Sequence, residues 1–373
     1  VLGIPIARLA ERKNRPLIIS ASVAAWSAFT VLCGFAQNFW HLILARIGVG
    51  IGEAGCTPPA HSLITDYVPK EKRASAIAFY SIGTPLGTLV GMAMGGLVAD
   101  AYGWRVAFMV AGAPGVVVAI IAALTLVEPR KKLAADLAAR AAQPIGFGAA
   151  LAVLMAKKTF WLVALAAAIK AFIGYGQAPF TASFFFRNHT AELASLAGLF
   201  GLKSAGFLGL SLGLIGGTAG VAGAWLGGMI ADRYGAKDIR AYAAAPAIAS
   251  LLAVPAYIAA INLPGAVPAL VLLVPYYLLS ALWYGPVYAT TQSIVDPSMR
   301  ATTAAVLLFI INLIGLGLGP LGVGLMSDFF AGPMGMGSAE GVRWALIVSA
   351  LMGVVSFWLF WRARHTIAGD MVS

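Results

Sequence analysis

The chain has 373 residues, of which 60% are apolar and only 10% are charged. A soluble domain averages about 45–50% apolar and about 25% charged residues, and the mean hydropathy here is +0.88. This composition excludes a soluble enzyme, a nucleic-acid-binding protein, a disulfide-stabilised scaffold and a disordered chain. It predicts an all-α polytopic membrane protein.

The chain offers few residues for metal or cofactor binding. Its two cysteines, Cys33 and Cys56, lie inside apolar helical stretches, and its four histidines lack the spacing of metal ligands. We therefore predict neither a metal nor a cofactor. Val1 opens an apolar run that resembles the last turns of a helix, so we expect that N-terminal sequence, including a first helix, is missing.

Apolar stretches of about twenty residues, long enough to cross a hydrocarbon core about 30 Å thick, recur along the chain. In chain order the predicted spans are 17–35, 42–64, 74–98, 106–127, 160–186, 207–230, 241–261, 267–288, 304–326 and 344–361. With the partial opening helix they make eleven, and the expected missing helix makes twelve.

Two longer connections interrupt the series. Residues 128–158 are polar enough to be a cytoplasmic linker, and residues 191–206 resemble an interfacial helix. We therefore predict a first bundle in 1–127, which holds helices two to six. The linker of 128–158 follows, and 159–373 form a second bundle, with helices seven to twelve and the tail.

The positions of the basic residues predict the orientation. When loops are assigned alternately to the two sides of the membrane, 19 of the 25 Lys and Arg residues fall on one side and four on the other. Because cytoplasmic loops carry an excess of Lys and Arg, the first side is predicted to be cytoplasmic, together with the C-terminus. We expect a monomer that crosses the plasma membrane many times.

A pattern of small and acidic residues repeats at four helix ends. The copies are 7–11, 96–100, 228–232 and 324–328, and each ends in Glu or Asp. The first and third copies are predicted to be cytoplasmic and the other two external. This alternation is typical of inverted three-helix repeats nested in two six-helix halves.

Further motifs lie at 10–15 (AERKNR), 231–235 (ADRYG), 46–54 (RIGVGIGEA) and 83–87 (GTPLG). The first two resemble the loop signature of the major facilitator superfamily and its second copy, and the others resemble its fourth-helix and fifth-helix motifs. Ala7 and Pro16 depart from the loop signature, which usually has Gly and often has a basic residue at these places. The resemblance covers the whole chain and implies two six-helix bundles and a transporter, not an enzyme.

The motifs 299–302 (MRAT) and 312–320 (NLIGLGLGP), with 52–54 (GEA), resemble the spinster branch, whose members move sphingolipids and lysophospholipids. We therefore predict a proton-coupled transporter of an amphiphilic lipid that works by alternating access as an antiporter. The expected partners are this substrate, protons and membrane lipids, without nucleic acid. A transporter of small organic anions or drugs and a non-transporting membrane sensor stay open as alternatives.

Glu53 is the one acid predicted to lie in the middle of a span. An unpaired charge there costs about 2.5 kcal/mol or more, so such residues are usually functional. Arg46, seven residues earlier, and Thr57 share its helical face. We predict that Glu53 and Arg46 couple transport to protons and that Thr57 lines the cavity, with a structural charge pair as the alternative.

Lys170 lies deep in its predicted span, with Gln177 and Thr181 on the same face. The resemblance makes this span the cavity-lining seventh helix, where an ammonium group suits an anionic headgroup. A structural pairing of Lys170 is the alternative. Further predicted cavity residues, for which plain packing or interhelical bonding is the alternative, are Tyr277, Tyr284, Tyr288 and Asn312.

The resemblance also implies a cytoplasmic gate. In the superfamily, the acid of the loop motif lies near the N-terminus of a helix from the opposite half, where the helix dipole favours negative charge. The predicted gate residues are Glu11, Arg12, Arg15, Arg73, Asp232, Arg233 and Arg300.

Overall fold

The computed structural model describes residues 14–68, 80, 83–129, 147–235, 237–296 and 299–371. These residues are almost entirely helical and include no β-strand, which confirms the all-α class. The helices are α1 (Arg15–Gly34), α2 (Phe39–Glu53), α3 (Thr57–Tyr67), α4 (Gly83–Tyr102), α5 (Trp104–Thr125), α6 (Phe147–Ala156), α7 (Lys158–Asn188), α8 (Thr190–Leu199), α9 (Ser204–Gly235), α10 (Ala241–Asn262), α11 (Ala266–Ala281), α12 (Tyr284–Ser293), α13 (Arg300–Asn312), the π-helix Leu313–Leu318, α14 (Gly319–Ala331) and α15 (Gly337–Asp370).

Eight helical segments of the described residues are long and apolar enough to cross a membrane. Each of them overlaps a predicted span. A ninth predicted span, 74–98, overlaps the shorter apolar helix Leu86–Tyr102, and part of this span lies outside the described residues. The multi-pass membrane class is therefore confirmed.

The prediction of one continuous helix over 42–64 is wrong. α2 ends at Glu53, residues 54–56 form a turn, and α3 then begins. Pro58 and Pro59 lack the N–H groups that an unbroken helix would use there. The last two N–H groups of the turn donate instead to carbonyls three residues earlier, at 3.2 Å. Glu53 therefore stands at a helix end.

The chain forms two compact units, and the first contains the described residues of Val1–Ala141 and Gly201–Gly213. In this unit α1 packs against α2, α3 and α5, and α4 packs against α5. α1 and α2 both begin at an asparagine, Asn14 or Asn38, whose side chain accepts a hydrogen bond from a first-turn N–H. Gly103, with a φ of 85°, permits the one-residue turn between α4 and α5.

The second unit contains the described residues of Ala142–Phe200 and Leu214–Ser373. Within it α15 packs against α7, α10 and α14, and α7 also contacts α13 and the π-helix. Its apolar core includes Phe160, Trp283, Leu307 and Phe360. The predicted linker contains α6, and the predicted interfacial segment contains α8.

Candidate transport site

Glu53 and Thr57 lie on either side of the break between α2 and α3. Both side chains are exposed, as is Arg46 on α2. The three residues were predicted to share a helical face, and in the structure none of their side chains is buried. The side of α2 that holds Gly48 and Gly52 is buried against α1 instead.

Glycine at two positions permits the close approach of α1 and α2. A Cβ atom at Gly52 would lie 2.5 Å from the backbone nitrogen of Trp26, and one at Gly48 would lie 2.3 Å from the ring of Phe29. Gly50, between them in sequence, has no such neighbour within 4 Å. The glycines of this motif therefore have two different roles. Gly48 and Gly52 allow α2 to pack against α1, whereas Gly50 lies on the exposed side of α2.

We expect Gly52→Ala to destabilise the protein by about 1–3 kcal/mol, because the new methyl group displaces backbone that cannot move aside easily. Gly50→Ala is the matched control and should change stability by less than about 1 kcal/mol, since its methyl group enters open space. Thermal unfolding of both purified variants in detergent measures the difference. Equal midpoints would contradict the packing role of Gly52.

Arg46 does not form an ion pair with Glu53. Among the described residues, neither side chain has an ion-pair partner of opposite charge within 4.0 Å. The guanidinium carbon of Arg46 lies 5.2 Å from the ring centre of Phe108 on α5, a cation–π distance. In this structure Glu53 is therefore an exposed carboxylate beside a helix break.

Tyr80 is a polar neighbour of the break that the sequence reasoning missed. Its side chain lies close to Thr57 and to Cys56. Glu53 is near enough to Cys56 to act on it electrostatically. A tyrosine one turn before the GTPLG motif was the only signal in the sequence. Tyr80 thus connects the next part of the chain to the turn that carries Glu53.

Lys170 is buried in α7, with 5% of its surface exposed. Among the described residues it has neither a hydrogen bond nor an ion pair. The adjacent Ala171 packs so tightly against the π-helix that a Cβ atom at Gly315 would lie 2.5 Å from its methyl group. The described part of the chain therefore offers no partner for the alternative of a structural pairing of Lys170.

Gln177 and Thr181 were predicted to line the cavity, and the structure places both in a network of hydrogen bonds between helices. Gln177 donates to Ser349 Oγ at 3.0 Å and accepts from the Tyr276 hydroxyl. Thr181 Oγ1 lies 2.8 Å from the Tyr257 hydroxyl. These bonds join α7 to α10, α11 and α15, as expected of interhelical polar contacts in membranes.

The tyrosines of the predicted stripe differ in exposure. Tyr284 is 44% exposed and Tyr288 and Tyr277 are partly buried. Tyr175 of α7, which the sequence reasoning missed, is also exposed and lies near Tyr284 and Tyr288. Its position five residues after Lys170 gave no signal, because the two do not share a helical face. A group of hydroxyl-bearing rings therefore stands between α7 and α12.

Asn312 ends α13 and its side chain is exposed. This exposed position does not fit the alternative of interhelical bonding. The π-helix that follows it adds one residue to the turn and widens the backbone. A side-chain position inferred from a regular 3.6-residue period is unreliable at such a point.

Most of the predicted gate falls where little can be described. Glu11, Arg12 and Arg73 lie outside the described residues, and so do the side chains of Asp232 and Arg300. Arg233 is exposed on α9. Arg15 is fully buried, where Glu128 accepts its Nε–H at 3.1 Å and its backbone N–H at 3.0 Å. This ion pair binds the start of α1 to the residues after α5.

The second copy of the acidic repeat illustrates the chemistry of such a gate. Asp100, at the end of α4, accepts a hydrogen bond from Gly206 N in the first turn of α9 at 2.6 Å. A Cβ atom on Gly206 would lie 2.3 Å from the carboxylate, so glycine is needed there. The carboxylate therefore binds a helix N-terminus, where the dipole favours it.

Comparisons with known proteins agree with this architecture. The family model described as Major Facilitator Superfamily matches residues 1–320. An MFS-type efflux pump of Mycolicibacterium smegmatis is 31% identical over 361 residues, which are 96% of this chain and 80% of the relative. Multidrug resistance protein MdtG of Proteus mirabilis is 38% identical over 106 residues, which are 28% of this chain and 26% of that protein.

Two solved structures of a bacterial homologue of the human lysosomal transporter Spinster are similar to this one. The inward-facing, unoccupied form has a TM-score of 0.84 and 32% identity and covers 100% of this chain and 88% of its own. The inward-facing, occupied form has a TM-score of 0.82, again with 32% identity. The match covers 100% of this chain and 87% of the chain in that structure. The chain belongs to the major facilitator superfamily, and within it the chain resembles the spinster branch. It is therefore a secondary transporter and an integral membrane protein.

Proposed function

We propose that the protein moves an amphiphilic substrate with an anionic headgroup, such as a lysophospholipid or a sphingolipid-like molecule. Lys170 carries this proposal, because it is a buried cation without a described partner. A phosphate or carboxylate headgroup would provide its missing counter-charge. The rings of Tyr175 and Tyr284 are exposed. Each ring can make apolar contacts with an acyl chain, and its hydroxyl group can form a hydrogen bond with polar atoms of the substrate.

We propose further that Glu53 carries the coupled proton. An ionisable residue in a membrane helix has a free-energy cost, and such residues are therefore usually functional. Its exposed position at a helix break suits the task, because a turn adjusts to a change of charge more easily than a regular helix does. Coupling requires that the inward-open and outward-open states differ in proton affinity.

The proposed cycle alternates access by opening and closing a cytoplasmic gate in which Glu11 and Asp232 bind helix N-termini of the opposite half. Arg12, Arg73, Arg233 and Arg300 are its proposed basic members. Arg15 is a further proposed basic member, and Glu128 binds it at the start of α1. We place the C-terminus in the cytoplasm and the protein in the plasma membrane as a monomer. The uneven distribution of basic residues supports this orientation.

Reconstitution into liposomes tests the substrate class. A panel of lysophospholipids, small organic acids, cationic drugs and sugars is offered under an imposed proton gradient. We expect gradient-dependent movement of lysophospholipids and none of sugars. Movement of organic acids or drugs without lysophospholipids would favour the alternative, which the names of the efflux-pump and multidrug-resistance relatives support. No movement of any compound would favour the sensor alternative.

Lys170→Met should weaken the transport of anionic amphiphiles by about tenfold or more, because a buried charge-assisted hydrogen bond is lost. Transport is measured as the rate of uptake at substrate concentrations below saturation. Lys158→Met is the matched control, because it makes the same substitution at an exposed lysine, the first residue of α7. If both variants transported alike, Lys170 would not bind the headgroup.

A further inference from the structure

A basic pocket lies in the second unit, where the turn between α9 and α10 meets the end of α15. Its cavity volume is about 450 Å³, within the range of small-ligand sites. Its polar lining residues are Tyr234, Lys237, Asp238, Arg240, Arg364 and His365. This pocket contains none of the residues proposed above for transport, although Tyr234 belongs to the ADRYG motif and follows the proposed gate residue Arg233.

Three cations of this pocket form no ion pair with any described residue. Within the described part of the chain, Lys237, Arg240 and Arg364 make no ion pair with a carboxylate. Asp238 is the acid among the lining residues, and one oxygen of its carboxylate accepts a hydrogen bond from Arg240 N at 2.9 Å. The pocket therefore carries a net positive charge and attracts an anion.

Two contacts hold Arg364 in place. The guanidinium carbon of Arg364 lies 3.5 Å from the ring centre of Trp361, and its Nε–H donates to His365 at 3.1 Å. In the turn, Gly235 approaches Tyr242 so closely that a Cβ atom would lie 2.1 Å from its ring. A site whose groups are already ordered loses less entropy when it binds a ligand.

The tryptophans of α15 indicate the depth of the pocket. Trp358 is half exposed, and Trp361 follows it by one turn. Tryptophan is enriched at membrane–water interfaces, where its ring lies at the level of the lipid headgroups. Arg364 and His365 lie within about one further turn, or about 6 Å along the axis. The pocket is therefore at headgroup depth or just outside it.

We propose that this pocket binds the phosphate group of an anionic membrane lipid, such as phosphatidylglycerol. The planar guanidinium groups of Arg240 and Arg364 suit two phosphate oxygens each, and Lys237 adds a point charge. The cavity has room for a glycerol phosphate headgroup. Trp358, further along α15 from the pocket, lies nearer to the acyl chains. The site is distinct from the proposed transport site and does not depend on it.

Binding of short-chain phosphatidylglycerol to the purified full chain in detergent tests the proposal, with calorimetry as the measurement. We expect phosphatidylglycerol to bind more tightly than phosphatidylcholine of equal chain length, and to bind more weakly at high salt. Arg240→Gln and Arg364→Gln should each weaken binding by roughly tenfold. Arg362→Gln is the matched control, because Arg362 stacks on Trp358 and does not line the pocket.

Glycerol phosphate, which has no acyl chains, distinguishes the two sources of a phosphate group. Weak binding of glycerol phosphate identifies a lipid site, whereas binding as tight as that of the lipid identifies a site for a soluble phosphate. The measurement is repeated in Lys170→Met, where binding at the pocket should be unchanged even if transport is lost. Equal affinity for the two lipids, or wild-type affinity in the folded Arg240→Gln/Arg364→Gln variant, overturns the proposal.

Discussion

Replacing Glu53 with Gln is expected to abolish proton-driven accumulation of substrate while leaving the fold intact. Glutamine has the size of protonated glutamate but cannot release a proton. A proton that moves down a gradient of one pH unit provides about 1.4 kcal/mol, which supports about a tenfold accumulation ratio. In liposomes under such a gradient, the wild-type protein should reach an accumulation ratio of about tenfold per coupled proton. In Glu53→Gln this ratio should fall to about one. Exchange of labelled for unlabelled substrate, which needs no gradient, should continue.

Glu340→Gln is the matched control for this experiment. Glu340 lies in the first turn of α15 and pairs with Arg343 on the surface at 2.9 Å. Removing its charge should leave accumulation unchanged, because a surface ion pair contributes about 1 kcal/mol or less. Wild-type pH dependence of transport in Glu53→Gln would show that Glu53 is not the proton carrier. Loss of exchange as well as accumulation would indicate a role in substrate binding instead.

Glu128→Ala is expected to produce the largest loss of stability, about 3–5 kcal/mol. The change removes the carboxylate that binds the buried guanidinium of Arg15, and breaking a buried ion pair by removing one partner is strongly destabilising. Thermal unfolding of the purified protein in detergent measures it as a fall of several degrees in the midpoint. The surface acid again provides the comparison, since Glu340→Ala should cost about 1 kcal/mol or less.

The double variant Arg15→Met/Glu128→Met tests the physical reason. Because it removes both charges and keeps apolar volume, it should be less destabilised than Glu128→Ala alone. A double variant as unstable as the sum of the single ones would mean that the two residues do not act as a pair. In that case, lost packing at the start of α1 would account for the effect.

The type and approximate limits of most of the membrane helices were readable from the sequence, because a hydrocarbon core demands long apolar segments wherever they occur. The family was readable for a related reason, since its motifs are short and local. The break after Glu53 was also within reach, because Pro58 and Pro59 follow it directly. The apolar length of 42–64 favours one helix, but the missing N–H groups of Pro58 and Pro59 favour the break that the structure shows.

Contacts between distant parts of the chain were not readable. Glu128 was assigned to a linker, and only the tertiary structure brings it to Arg15, which is 113 residues away. Gln177 and Lys170 share a predicted face, yet the first is bound by Tyr276 and Ser349 while the second has no described partner. Helical periodicity gives the direction in which a side chain points but not what it meets.

The sequence by itself therefore determined the membrane class, the order of the helices and the superfamily, because each depends on local composition and spacing. The tertiary structure decided which polar residues are bound and which are open, and it brought Arg240 and Arg364 to one pocket. Burial and partnership depend on residues that are far apart in the chain and near in space. A buried polar group must also be satisfied by whatever lies beside it, so these properties follow from packing rather than from any single segment.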